Sequence, residues 1–170
     1  MRFTIKRIAV NGLIAAIYVA LTLATSAFAY RDIQFRVAEI LILLVFFRKD
    51  YIFGLAVGCF LANLFGPLGF IDAIFGTLAT IVSGLLIAYS KRLFLASLYP
   101  AVINGLVVGA ELYYLEGLPF WLSALSVALG ELTVIAVFGY LIFSRLRQAP
   151  FFLKMIDANQ NIGHAEMPQR

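Results

Sequence analysis

Six polar side chains interrupt long apolar runs in this sequence and carry its chemistry: Glu39, Asn63, Asp72, Asn104, Glu111 and Glu131. An ionisable group deep in an apolar medium is costly, so each must face protein, water or a ligand. Asn104 and Glu111 are seven residues apart, which places them on one face of a helix. Glu111 and Glu131 have no basic residue nearby in sequence, and an unpaired buried carboxylate takes up a proton or a cationic partner. The others have structural roles open to them. Arg36 and Glu39 are three apart and can pair on one helix. Asn63 and Asp72 flank Gly66-Pro67-Leu68-Gly69, where either can cap a helix end, and Asp72 suits the positive end of a helix dipole. Glu116 reads as a solvated loop residue.

Aromatic residues gather near the same level: Tyr30, Phe70, Tyr113, Tyr114, Phe120 and Trp121. An interfacial belt explains most of them. A flat heterocyclic ligand would stack on one or two, and Trp121 is carried forward as that contact. The absences narrow the chemistry further. No Gly-x-x-x-x-Gly-Lys-Ser/Thr loop cradles a nucleotide phosphate. The one histidine, His164, falls in the C-terminal tail, and the one cysteine, Cys59, lies in an apolar run where it reads as a small packing residue. Disulfides within the chain, multi-cysteine metal sites and histidine-based catalysis are excluded. Binding and transport fit better than an enzyme, with no cofactor and no metal expected.

The elements that must position these groups follow from composition. Of 170 residues, 63% are hydrophobic and 13% charged, whereas a soluble domain carries about 25% charged residues. The solvent must be lipid. Apolar runs at 8–29, 33–47, 51–65, 70–90, 94–115 and 119–143 predict an all-α integral membrane protein of six transmembrane helices. The second and third runs are about 22 Å long as helix, short of a hydrocarbon core of about 30 Å. They must be tilted, recessed or shielded by neighbours; four spans with a re-entrant hairpin is the alternative. At the N-terminus, Ala27-Phe28-Ala29 has the form of a signal-peptidase site, but the apolar stretch before it is too long for an ordinary signal peptide and reads as a retained first helix.

Six crossings put both termini on one side. Eleven of the thirteen Lys and Arg residues then fall on that side, and only Arg31 and Arg36 fall opposite, so both termini are expected in the cytoplasm. Asp50, Asp157 and Glu166 share the cytoplasmic side, which nets +8, while the rest of the protein nets −4. Residues 1–147 read as one transmembrane domain. Residues 148–170 read as a polar, partly disordered cytoplasmic tail whose patch at Phe151-Phe152-Leu153 and Met155-Ile156 can rest on the membrane surface. On the first helix, Gly12, Ala16, Ala20 and Ala24 recur every fourth residue and form a small-residue face. Such a face packs either within the chain or against a partner.

Several stretches resemble the QueT-type family, the substrate-binding S components of energy-coupling factor (ECF) transporters. They are Phe35-Arg36-Val37-Ala38-Glu39, Gly58-Cys59-Phe60-Leu61-Ala62-Asn63-Leu64-Phe65-Gly66-Pro67-Leu68-Gly69, Phe75-Gly76-Thr77-Leu78-Ala79-Thr80, Asn104-Gly105-Leu106-Val107-Val108-Gly109-Ala110-Glu111, Gly117-Leu118-Pro119-Phe120-Trp121 and Ala128-Leu129-Gly130-Glu131. The resemblance implies a six-helix S component in a bacterial cell membrane that captures a queuosine precursor outside the cell. It also implies partners: a transmembrane coupling protein and two cytoplasmic ATPase subunits, with docking through an Ala-x-x-x-Ala motif matched here by Ala16 and Ala20. A 7-deazaguanine offers an N1–H and an exocyclic amine that one carboxylate can accept together. A region netting −4 suits the cationic 7-aminomethyl form better than the neutral cyano form. An S component for another vitamin or nucleobase, or a solitary proton-coupled carrier with Glu111 and Glu131 as relay groups, remains the alternative.

Overall fold

The computed structural model describes residues 4–26 and 35–161. Tyr30, Arg31, Asp32, the Ala27-Phe28-Ala29 stretch, His164, Glu166 and both chain ends lie outside the described residues. Apolar segments broken by Gly, Pro and charge become seven helices among the described residues: α1 (Ile5–Ala24), α2 (Val37–Phe47), α3 (Tyr51–Leu64), α4 (Phe70–Tyr89), α5 (Leu93–Glu116), α6 (Phe120–Leu146) and α7 (Pro150–Met155). Four of them, α1, α4, α5 and α6, are long and apolar enough to cross a membrane, while α2 and α3 are shorter. Leu13, Val102 and Leu125 stand at least 57% exposed on the outside of long helices, a surface that only lipid covers without penalty. The protein is a multi-pass membrane protein.

Why α2 tolerates its length is visible in its burial. Ala38, Glu39 and every residue from Ile42 to Phe47 are buried, the pattern of a helix enclosed by its neighbours. Its first part, Val37–Leu43, is wound as a 3₁₀ helix. The larger rise of that winding stretches α2 to about 20 Å. Its C-terminal carbonyls are then satisfied by the segment after α7. The Gln160 side chain donates to the Val45 carbonyl at 2.9 Å, the Asn161 side chain to that of Phe46 at 2.8 Å, and the Asn159 amide to that of Phe47 at 3.1 Å. Phe152, Leu153 and Ile156 are buried in the core, with Phe152 edge-on to Phe47 and Phe143, so three of the five residues in the apolar patch of the tail pack against protein. Phe151 and Met155 stay exposed. Ion pairs lock this end of the bundle: Arg48 to Asp50 at 3.0 Å, Arg48 to Asp157 at 2.8 Å and Arg7 to Asp50 at 3.7 Å.

Close packing elsewhere rests on small residues. The inward face of α1 is Asn11, Ile14, Ala15, Tyr18 and Thr22, a spacing of three and four that makes one helical stripe. Across from it lie Gly54 and Gly58 of α3. A Cβ on Gly58 would come within 2.8 Å of Tyr18 Cβ and 3.0 Å of the Ala15 carbonyl oxygen, so the two backbones meet there directly. Asn11 Oδ1 also accepts the Gly54 amide hydrogen at 2.8 Å, a bond from the first turn of α3 across to α1. Helices α5 and α6 meet in the same way at Gly109 and Ala124, and Gly117 ends α5 with φ +69°, a conformation that favours glycine. The face predicted to be small, Gly12, Ala16, Ala20 and Ala24, is exposed throughout. A Cβ built on Gly12 would meet nothing within 4 Å among the described residues.

Two glycine substitutions test this division of α1 and α5. In Gly109→Ala the new methyl lies 2.7 Å from Ala124 Cα, and overpacking of this kind costs about 1–3 kcal/mol. Gly12→Ala meets nothing within 4 Å and should shift stability by less than about 0.5 kcal/mol. Thermal unfolding in detergent should separate the two, and equal melting temperatures would contradict the packing described.

Candidate ligand-binding site

The N-terminal half of α2 enters the bundle at the end opposite the Arg48–Asp50–Asp157 network and carries Arg36 just ahead of it and Glu39 in its first turn. The last turn of α3 supplies Asn63, the first turn of α4 supplies Asp72, α5 supplies Asn104 and Glu111, and α6 supplies Glu131. All six polar residues expected to face protein or ligand are no more than 5% exposed.

Their pairings differ in part from the sequence expectation. Arg36 bonds to Asp72, with Nη2 at 3.1 Å from Oδ2 and 3.3 Å from Oδ1. It does not form the intrahelical ion pair with Glu39, because the 3₁₀ winding of α2 and the approach of α4 bring an inter-helix carboxylate closer. Asp72, in the first turn of α4 behind the N-cap Gly69, is therefore an ion-pair partner whose two carboxylate oxygens accept from Arg36. Glu39 Oε1 instead accepts the hydroxyl hydrogen of Tyr18 from α1. Asn63 Nδ2 donates to the Asp72 carbonyl at 3.1 Å and so ties the end of α3 to the start of α4. Asn104 Nδ2 donates to Glu131 Oε1 at 2.9 Å. Helix α6 changes from α to π winding immediately after Glu131, over Leu132–Gly139, a feature frequent at functional sites.

After these bonds, five buried acceptor atoms of the cluster have no donor among the described residues: Glu39 Oε2, Asn63 Oδ1, Glu131 Oε2 and both oxygens of Glu111. Buried polar atoms are ordinarily bonded, and on Glu39, Asn63, Glu111 and Glu131 the atoms left over are all acceptor oxygens. Glu39 and Glu131 are electrostatic neighbours, Glu111 senses Asp72, and Arg36 acts on all three glutamates. With Arg36 bonded to Asp72, the arrangement is an acceptor-rich, carboxyl-lined interior suited to a ligand with several N–H donors. Among the described residues no three His, Cys, Asp or Glu side chains group as metal ligands.

Not every expected residue joins the cluster. Trp121 is 71% exposed at the start of α6, edge-on to Phe120 at 4.8 Å, and Tyr114 is 80% exposed. Their placement is that of an outer aromatic belt. Tyr18 was missing from the sequence reading; its only signal was its place on the Asn11–Ala15–Tyr18–Thr22 stripe of α1. The Arg36–Asp72 pair had a clearer one, since Arg36 is one of only two basic residues that the expected topology put opposite the other eleven.

A family model described as QueT transporter matches residues 8–148. The protein named Queuosine precursor transporter QueT from Lactococcus lactis subsp. cremoris (strain MG1363) is 33% identical, across 71% of this chain and 80% of that protein. No solved structure matches the chain.

The buried ion pair makes a quantitative prediction. Arg36→Met leaves the Asp72 carboxylate buried without its partner, which costs about 3–5 kcal/mol. Adding Asp72→Leu should recover most of that loss, because the two residues form one unit. Thermal unfolding of the single and double variants measures the coupling, and strictly additive losses would refute it.

Proposed function

Because this chain belongs to the QueT transporter family, we propose that it is the substrate-binding S component of an ECF importer that captures 7-aminomethyl-7-deazaguanine, or a closely related queuosine precursor, outside the cell. The observation that carries this reading is the set of five unpartnered buried acceptors. Glu111 is the carboxylate with both oxygens available, so it matches the N1–H and exocyclic amine of the guanine edge as a two-pronged acceptor. Glu39 and Glu131 each retain one oxygen, which suits an ammonium group shared between them. Asn63 Oδ1 accepts a further ring N–H. The second N–H of the Asn104 amide is the donor for the ligand carbonyl.

Topology supports the direction of capture. With six crossings, the excess of Lys and Arg towards the Arg48 end favours both termini in a bacterial cytoplasm and an acceptor cluster near the outer face. The enclosed α2 explains how a helix of about 20 Å takes part without facing lipid. Energy comes from elsewhere, since the chain has no phosphate cradle. The exposed Gly12, Ala16, Ala20 and Ala24 face of α1 is the surface on which a transmembrane coupling protein, bearing two ATPase subunits, docks. As a member of a transporter family, the chain is a transport protein rather than an enzyme.

Mass spectrometry of small molecules retained by the purified protein is the direct test. Glu111→Gln should weaken binding of 7-aminomethyl-7-deazaguanine on the order of a hundredfold, as expected when one charge-assisted pair of bonds is lost, and leave the melting temperature unchanged. Unaltered affinity would remove Glu111 from recognition. Leu at both Ala16 and Ala20 should abolish co-purification with ATPase subunits and preserve ligand affinity. A wild-type protein that transports without any such subunits would instead be a solitary carrier.

A further inference from the structure

One well-defined donor at the cluster takes no part in the recognition scheme above. Tyr18 is 1% exposed and donates its hydroxyl hydrogen to Glu39 Oε1. Its position is tightly constrained. Its Cβ stands on the bare backbone of Gly58, where an added methyl would come within 2.8 Å, and Thr22 Oγ1 donates to the Tyr18 carbonyl at 2.9 Å. A tyrosine has only two side-chain torsions to lose, so a ring held in this way is a rigid arm.

The arm has a chemical consequence. A carboxylate with two equivalent oxygens can turn and offer either one. With Oε1 taken by Tyr18, Glu39 presents only Oε2, and that oxygen has no partner among the described residues. Asn104 does the same for Glu131, occupying Oε1 at 2.9 Å and leaving Oε2. The cluster therefore shows two carboxylates each clamped by a neutral donor, with one free oxygen apiece.

We infer that Tyr18 is a positioning residue that sets ligand preference, holding Glu39 by one oxygen so that the other is a fixed acceptor for the cationic arm of the ligand. This rests on the reading of the site as a 7-deazaguanine pocket. Tyr18 acts through Glu39 and needs no ligand contact of its own. An aminomethyl group offers three N–H donors to a fixed anionic oxygen. A cyano group is itself an acceptor and gains nothing from it, so a fixed carboxylate oxygen favours the first and disfavours the second.

The test is calorimetric titration of the full-length protein in detergent with 7-aminomethyl- and 7-cyano-7-deazaguanine, using wild type, Tyr18→Phe, Glu39→Gln and the double variant. Wild type should prefer the amine. Tyr18→Phe should lower amine affinity on the order of tenfold, the effect of one weakened charge-assisted bond, with little change for the cyano form. Glu39→Gln should erase the preference, and Tyr18→Phe should then add nothing further. A merely structural role for Tyr18 would weaken both ligands alike and add to the effect of Glu39→Gln; either result overturns the inference. So does a retained preference in Glu39→Gln, which decides the matter even where Tyr18→Phe does not fold. Wild-type protein that binds neither base, or binds both equally, overturns the reading of the pocket itself and this inference with it.

Discussion

Inside an apolar bundle with no bulk water, each polar atom must be satisfied by protein or by a ligand, and the architecture of this chain follows from that constraint. At the α2–α3 end protein groups meet most of it. The three last carbonyls of α2 receive hydrogen bonds from Asn159, Gln160 and Asn161, and Arg48 bonds to Asp50 and Asp157. The first turn of α3 borrows an acceptor from Asn11 on α1. At the other end the same constraint is met by the Arg36–Asp72 pair and then left unmet at five acceptor atoms. Five acceptor oxygens on four neighbouring side chains are the densest group of such atoms among the described residues.

Two kinds of small-residue contact divide the labour of packing. Gly54 and Gly58 let α3 lie directly on α1, and Gly109 lets α5 lie on α6. These contacts are internal and set the distances across which Tyr18 reaches Glu39 and Asn104 reaches Glu131. The Gly12, Ala16, Ala20 and Ala24 face is external. Helix α1 thus carries a site-facing tyrosine on one side and a smooth exposed face on the other.

Much of the fold was legible from the order of residues. Apolar runs and their Gly, Pro and charged breaks located all six bundle helices, because transfer into an apolar medium and turn geometry are properties of short segments. The polar members of the buried cluster were legible for the same reason: Glu39, Asn63, Asp72, Asn104, Glu111 and Glu131 are costly in their surroundings wherever the helices sit. The spacing of Gly12, Ala16, Ala20 and Ala24 on one face was also a local matter.

Tertiary structure alone decided how those parts meet. Spacing along α2 favoured Arg36 with Glu39, but the 3₁₀ winding and the approach of α4 joined Arg36 to Asp72. The inward turn of Tyr18, the outward turn of the small face, and the choice of which carboxylate oxygens stay free depend on rotations of whole helices about their axes. A periodic pattern specifies the stripe on a helix, but it leaves open the neighbour that stripe will face. That neighbour is set by inter-helix distances, which here depend on where glycine lets two backbones touch.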